Sequence, residues 1–168
     1  PISESTYELI TQVDKLRDWT EEALVIGRLA IDTETTSLDS MLADLVGISL
    51  STDPGRASYI PLGHIEPPAQ KKLDLEANGE KESTLEPSPK QIPLDKAIKL
   101  LKPILESPSV LKIGHNIKYD MQVLHRYGIN VSPIDDTMIL SYVLEGSKHR
   151  HTMDELSQIH LNHETIKF

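Results

Sequence analysis

The chain has 168 residues, 38% hydrophobic and 26% charged, a balance typical of one folded globular domain rather than a disordered chain. Lysine and arginine total 17 against 26 acidic residues, and the formal charge of −9 argues against a broad phosphate-binding surface, although bound divalent cations would offset carboxylates locally. There is no cysteine, which excludes disulfides, thiolate zinc sites and a thiol nucleophile.

The first element along the chain is predicted to be a helix. Ser5 and Glu8 have the spacing of a capping box, in which the side chain of each residue accepts a hydrogen bond from the backbone N–H of the other. A short apolar segment at 23–30 is then predicted to be a buried strand that runs into Asp32. The apolar residues that follow the capping box at helical spacing are Leu9, Ile10, Val13 and Leu16.

Two further strands are predicted to form a hairpin. They cover residues 45–50 and 57–61, and the Asp-Pro-Gly sequence between them is typical of a tight turn. Residues 66–93 differ, because they contain several prolines and many charges but few apolar side chains. We expect an exposed, flexible insertion there.

The second half of the chain alternates helices with a strand. A helix is predicted at 94–105, with a kink or a short second helix at Pro103. A strand at 110–114 precedes a helix at 116–127. A hairpin followed by alternating elements predicts a three-layer α/β domain with a mixed sheet. Two later helices are expected to begin at caps: Asp136 for a helix through residue 144, and Thr152 with Glu155 for a helix to about residue 161.

Two carboxylates stand at the end of the first predicted strand. Asp32 and Glu34 are two residues apart, so the alternation of a strand puts both side chains on the same side. Carboxylates held side by side repel unless a cation or a proton lies between them, and their oxygens suit Mg²⁺ or Mn²⁺. From this pair alone, a solvated strand end or a helix N-cap is the alternative interpretation.

A second polar pair follows the later strand. Asn116 and Asp120 are four residues apart at the start of a predicted helix, so they share one helix face. Asp120 can supply a third carboxylate at the same kind of sheet edge. Asn116 can donate to a phosphate or hold a neighbouring carboxylate, and a plain N-cap is its alternative role.

Together the two segments resemble a known family. Residues 29–38, LAIDTETTSL, look like the first exonuclease motif of bacterial DNA polymerase I, and residues 112–120, KIGHNIKYD, look like the second. The resemblance implies a DnaQ-like proofreading exonuclease domain with a ribonuclease H-like, three-layer α/β/α fold and a mixed central sheet. Apart from the insertion it covers roughly residues 24–168, with further similar segments at 45–49, 59–61, 100–105, 127–129, 136–138 and 151–156.

The resemblance implies two-metal hydrolysis of the 3′-terminal phosphodiester of single-stranded DNA. Two divalent ions, Mg²⁺ or Mn²⁺, would lie about 4 Å apart. Asp32 would bridge both ions, Glu34 would bind the water-activating ion and Asp120 would reach the other. These three acids are the expected catalytic and metal-binding residues.

The resemblance also implies contacts with the DNA. The backbone near Thr35 and the side chain of Asn116 would position the terminal nucleotide, and Leu38 would wedge against its base. Phe168 falls where the family stacks an aromatic ring on single-stranded DNA, a contact worth about 1–3 kcal/mol. For Phe168 a frayed chain end is the alternative.

Three more residues are assigned less directly. Tyr119 and Met138 stand at positions that match the family, with core packing as the alternative for each. Arg150 lies in a basic run at 148–151 and would contact phosphate, with a solvated loop as its alternative. The nearby histidines have no spacing that fixes convergent zinc ligands, and we interpret them as solvated: His149, His151, His160 and His163.

The third motif of the family is absent from this sequence. That motif is a tyrosine followed four residues later by the last metal-binding aspartate, and no tyrosine after Asp120 has this spacing. We therefore expect a C-terminally truncated fragment, inactive or nearly so alone, whose partners are single-stranded DNA and the polymerase domain of the same parent chain.

The resemblance implies a bacterial cytoplasmic location. No membrane contact is expected, because no apolar run approaches the roughly 20 residues of a membrane helix. A non-catalytic module that supports a polymerase domain is the alternative function.

Overall fold

The computed structural model describes residues 5–65 and 90–165, so Phe168 and most of the predicted insertion lie outside the described residues. The elements are strand β1 (Thr6–Leu9), helix α1 (Val13–Ile26), strands β2 (Arg28–Thr35), β3 (Leu45–Asp53) and β4 (Arg56–Pro61), helix α2 (Leu94–Leu105), strand β5 (Leu111–Gly114), helix α3 (Lys118–Arg126), strand β6 (Ile134–Asp136), and helices α4 (Thr137–Glu145) and α5 (Met153–Leu156), the last continued by a π-helical turn (Ser157–Leu161).

The strands form one mixed sheet in the order β1-β4-β3-β2-β5-β6. Strand β3 is antiparallel to β2, which it joins through a loop at residues 36–44, and to β4, which it joins through a tight turn; longer crossovers make β5 and β6 parallel to β2. The carboxyl ends of β2, β5 and β6 therefore meet at one edge of the sheet. The predicted α/β fold with a mixed sheet and an early hairpin is confirmed.

The two faces of the sheet differ in chemistry. On β2 the side chains of Leu29, Ile31 and Thr33 are buried, whereas Asp32 and Glu34 point to the opposite face. The buried face packs on the apolar sides of α1, α2 and α3. We call the opposite face, which carries Asp32 and Glu34, the site face. It forms a cavity of about 260 Å³ that Thr137 of α4 and Met153 of α5 help to line.

The predicted start of the first helix is wrong, because the helix, α1, begins only at Val13 and residues 6–9 form β1. Its backbone pairs with the edge of β4, where Thr6 N–H donates to Gly55 O at 2.7 Å and Ile10 N–H to Tyr59 O at 2.8 Å. Glu8 does not close a capping box and instead accepts a hydrogen bond from the Trp19 indole at 2.9 Å. An unpaired strand edge therefore outweighed the local capping signal.

The predicted strand at 23–30 is also wrong in its first half. Residues 23–26 are the last turn of α1, and Gly27, at φ +77°, ends the helix before β2 begins at Arg28. A short apolar run fits a helix turn as well as a strand, and of these residues Ala23 is buried whereas Leu24 and Val25 are 49% and 88% exposed.

Three further details of the prediction can be compared with the structure. Helix α2 continues through Pro103 without a second helix, because Pro103 lies in the last turn and removes only one backbone hydrogen bond. Strand β6 was not predicted, since three residues are too few for a periodic signal. At the end of the predicted insertion Ile92 is only 2% exposed and belongs to the core. The part of the chain that the structure describes contains no helix of the length and apolar character needed to cross a membrane.

A buried lysine holds the start of β5. Lys112 is 0% exposed, and its ammonium group donates to the carbonyls of Ser107 at 2.8 Å, Val110 at 2.7 Å and Ser132. Burial lowers the pKa of Lys112. The three bonds join the turn before β5 to the segment that leads into β6, and so they align the two strands whose carboxyl ends reach the site edge.

Lys112→Met should unfold more easily than the wild type. Methionine fills much of the same volume but removes the ammonium donor from three carbonyls, of which Ser107 O keeps the Val110 N–H at 3.3 Å. Unpaired buried acceptors cost about 1–3 kcal/mol each. We expect a loss of about 3 kcal/mol in the free energy of unfolding, measured by urea denaturation. Lys99→Met, at an exposed position of α2, is the control, and equal midpoints for the two variants would contradict this role of Lys112.

Candidate active site

The two carboxylates of β2 lie near its carboxyl end on the site face. In the antiparallel register Asp32 stands opposite Ser49 of β3 and Glu34 stands opposite Gly47. A register shift follows at residues 34 and 35, where β2 leaves the sheet. The two acids are therefore one pleat apart at the edge where β5 and β6 also end.

The third carboxylate reaches β2 from α3. Asp120 is 4% exposed, and its Oδ1 accepts hydrogen bonds from the Thr33 backbone N–H at 2.9 Å and the Thr33 hydroxyl at 2.6 Å. Burial raises the pKa of Asp120, the two bonds from Thr33 oppose that shift, and the charge of Asp136 adds to it. This bond fixes the first turn of α3 against the central strand.

The pKa of Asp32 lies well above its ordinary value of 3.8. Burial, and then the negative charges of Asp120 and Glu34, together raise the pKa of Asp32 to about 6. The three acids thus repel one another at neutral pH, and a cation or a proton would relieve the repulsion. The oxygen-only donor set fits a hard divalent ion. Within residues 5–65 and 90–165, no three acidic or histidine side chains are already closed around a single metal position.

Tyr119 organises the loop that follows β2. Its hydroxyl donates to the Ser37 carbonyl, and the Thr35 hydroxyl lies within hydrogen-bond range of both Tyr119 Oη and Ser37 O, the latter at 3.1 Å. The next residue, Leu38, is 98% exposed. The loop that presents Leu38 is therefore fixed by hydrogen bonds to α3, although Leu38 itself projects into solvent.

The Asp136 carboxylate holds the backbone at Asn116, a contact that the sequence did not reveal. The Asn116 backbone has φ +58°, and Asp136 accepts hydrogen bonds from Asn116 N–H and Ile117 N–H, both at 3.0 Å. Asp136 also caps α4 as predicted, accepting from Met138 N–H at 2.9 Å. Asn116 itself does not cap α3, and its side chain is exposed at the site edge. The only sequence signal for this link was the similarity of residues 136–138 to the family.

Arg150 lies away from this arrangement. It is exposed in the loop after α4, and within the described residues no contact joins it to the three acids. The neighbouring His149 bonds the Glu145 carboxylate at 2.6 Å and the Arg150 carbonyl at 2.7 Å, and these bonds raise the pKa of His149. His151 bonds the Ser141 hydroxyl at 2.9 Å. Two of the four histidines are thus engaged in fixing the loop.

Sequence comparisons connect this arrangement with known proteins. The sequence profile of a 3′–5′ exonuclease family matches residues 7–168. A DNA polymerase I from Rhizobium leguminosarum is 41% identical, covering 100% of this chain and 16% of that protein. A DNA polymerase I from Pseudomonas aeruginosa is 32% identical, covering 99% of this chain and 16% of that protein. The chain therefore spans about a sixth of the length of these curated relatives.

Solved structures share the fold at lower identity. Escherichia coli RNase D, an exoribonuclease involved in structured RNA processing, has a TM-score of 0.64 at 20% identity, covering 96% of this chain and 35% of that one. Brucella melitensis NrnC with bound Mg²⁺ has a TM-score of 0.60 at 20% identity, covering 98% and 64%. These likenesses confirm the ribonuclease H-like fold.

Asp32→Asn should stabilise the metal-free protein at neutral pH. Asp32 binds its proton more tightly in the folded state, so its contribution to stability is present below its ordinary pKa of 3.8 and is lost as the pH rises through about 6. With a chelator present, we expect the variant to melt a few degrees above the wild type at pH 7.5 and at the same temperature at pH 4.

Thermal denaturation followed by circular dichroism measures this difference. Glu21→Gln, which neutralises an exposed carboxylate of α1, is the matched control and should show no comparable gain. A gain for Asp32→Asn that is equal at both pH values would contradict the electrostatic explanation.

Proposed function

The chain belongs to the 3′–5′ exonuclease family found in DNA polymerase I, and we propose that it removes 3′-terminal nucleotides from single-stranded DNA as a proofreading domain. The observation that carries this proposal is the group formed by Asp32, Glu34 and Asp120, in which burial and then the charges of the other two acids raise the pKa of Asp32 to about 6. A mutually repelling group of acids at the carboxyl edge of a sheet is suited to binding cations.

The three acids are the proposed metal ligands. Bound Mg²⁺ or Mn²⁺ supplies an activated water and stabilises the leaving 3′ oxygen. Asp32 and Glu34 offer oxygens from one strand, and Asp120 offers its remaining oxygen from α3 while Thr33 occupies Oδ1. The NrnC structure with Mg²⁺, which shares the fold, supports a divalent ion as the cofactor.

The surrounding residues are proposed to position the DNA. Leu38 is 98% exposed on a loop that Tyr119 and Thr35 fix, so a nucleotide base can cover it without rearranging the loop. Asn116 presents an exposed amide at the same edge, suited to the terminal nucleotide. Arg150 would contact phosphate further along the strand, and the stacking role of Phe168 stays a prediction.

A longer polypeptide is the proposed working form. The relatives are DNA polymerases of which this chain covers 16%, which supports a polymerase domain in the same chain as its partner. Both organisms are bacteria, so we place the activity in the bacterial cytoplasm, where the chromosomal DNA lies.

Asp32→Ala in the longer polypeptide should reduce 3′ trimming by at least about 1,000-fold, because the metal ions that supply the nucleophile lose their shared ligand. Polymerisation should be unchanged. Asn116→Ala should reduce trimming by a smaller factor, since it removes a substrate contact and no metal ligand. The assay follows the shortening of a 5′-labelled single-stranded oligonucleotide in the presence of Mg²⁺.

Glu21→Ala on α1 is the control and should trim at the wild-type rate. Trimming that survives Asp32→Ala would contradict the site assignment. An inactive wild type that still polymerises would favour the non-catalytic module instead.

Mn²⁺ should bind the 168-residue chain weakly, in the millimolar range, and more weakly still in Asp32→Ala. Three acids without a further ligand leave the ion largely hydrated, and removal of the central acid leaves only separated carboxylates. Electron paramagnetic resonance of free Mn²⁺ measures the affinity. Equal binding by the wild type and by Asp32→Ala would show that the ion binds elsewhere.

A further inference from the structure

A tyrosine and a histidine on the site face lie next to Glu34, and neither belongs to the exonuclease motifs described above. We propose that Tyr59 and His64 form a positioning pair, in which His64 orients the Tyr59 hydroxyl so that it donates a hydrogen bond to the Glu34 carboxylate. This inference rests on the proposed function, because it concerns how one of the proposed metal ligands is held.

The register of the sheet places the tyrosine on the correct face. Tyr59 of β4 pairs with Ser49 of β3, and Ser49 pairs with Asp32 of β2, so the three side chains form one row across the sheet. Directly paired residues of neighbouring strands point to the same face. Tyr59 therefore projects from the same surface as Asp32 and Glu34.

A glycine allows the phenol ring to lie toward Glu34. A Cβ atom built on Gly47 would lie 2.0 Å from the Tyr59 hydroxyl oxygen and 2.3 Å from Cζ, so the end of the ring covers the backbone of Gly47. Gly47 is the residue that pairs directly with Glu34. The Tyr59 hydroxyl is thus held over the position opposite Glu34, about one cross-strand distance of 4.5–5.5 Å from that residue.

His64 fixes the hydroxyl from the other side. Its Nε2 lies 2.7 Å from Tyr59 Oη, and the two rings meet edge to face. When Nε2 carries the ring proton it donates to Tyr59 Oη, which leaves the phenol proton free for another acceptor. Glu34 is the acidic residue that lines the same cavity of about 370 Å³ as this hydroxyl, together with Thr35, Val46, Ser49 and His64.

The histidine is itself anchored to the fold. Gln91, just before α2, accepts a hydrogen bond from His64 N–H at 2.8 Å and donates to His64 O at 2.9 Å. Burial and then the charge of Glu34 raise the pKa of Tyr59, which keeps the phenol neutral and able to donate.

A residue that hydrogen-bonds a metal ligand has a measurable effect on the metal site. Hydrogen-bond partners of ligating carboxylates fix their orientation, and removing them typically lowers metal affinity or activity by about 10–100-fold. Because Tyr59 would act through Glu34 and touch no reacting atom, it should change kcat and metal affinity while leaving the KM for the oligonucleotide unchanged.

Tyr59→Phe in the longer polypeptide tests the pair, because phenylalanine keeps the ring over Gly47 and removes only the hydroxyl. We expect kcat for trimming to fall about 10-fold or more, with KM unchanged within about twofold, and Mn²⁺ affinity in the 168-residue chain to fall by a similar factor. The thermal midpoint should not change. Tyr7→Phe, at an 80% exposed position of β1, is the matched control and should behave as the wild type.

A double-mutant cycle separates positioning from a general structural role. In a Glu34→Gln background, Tyr59→Phe should not lower kcat or Mn²⁺ affinity any further. His64→Ala should lower both quantities as much as Tyr59→Phe does, and the two substitutions together should lower them no more than either alone. A Tyr59→Phe variant with wild-type kcat and Mn²⁺ affinity would overturn the inference, as would an equal loss in both backgrounds. If Asp32→Ala trims like the wild type, the proposed function fails, and the Mn²⁺ measurement still decides whether Tyr59 supports Glu34.

Discussion

The hydrogen bonds between Asp120 and Thr33 connect the parts of this protein on which the site depends. They join the first turn of α3 to the middle of β2, across 87 residues of sequence, and they are buried. An unpaired buried carboxylate would be costly, and two donors from one threonine offset that cost. The same contact brings a third negative charge close to Asp32, so the interaction that holds the fold together also creates the repulsion at the site.

A second carboxylate organises the other side of the same edge. Asp136 ends β6 and accepts hydrogen bonds from the turn at Asn116 and Ile117 as well as from the start of α4. With Asp120 holding α3 against β2 and Asp136 holding the turn before α3, the backbone around Asn116 has little freedom. The exposed amide of Asn116 and the braced loop that carries Leu38 thus face solvent from fixed positions, which suits recognition of a flexible single strand.

The two motifs indicate a specific family only when they are considered together. A pair of acids two residues apart is common at solvated strand ends, and a helix that starts with asparagine is ordinary. Joined in one chain, the segments at 29–38 and 112–120 indicated the exonuclease family, and the match over residues 7–168 agrees with that interpretation. By contrast, the sequence showed Tyr59 only as part of a segment similar to the family and assigned it no role, because its relation to Glu34 arises only through pairing of three strands.

Features set by neighbouring residues were determined by the sequence alone. The shared face of Asp32 and Glu34, the turn between β3 and β4 and the Asp136 cap of α4 all depend on contacts within a few residues. Only the tertiary structure decided that residues 6–9 pair with β4, that Tyr119 bonds Thr35 and that the pKa of Asp32 is raised. Each of these depends on a strand edge, a hydroxyl or a charge supplied by a distant part of the chain, and local propensity carries no information about which distant group will arrive.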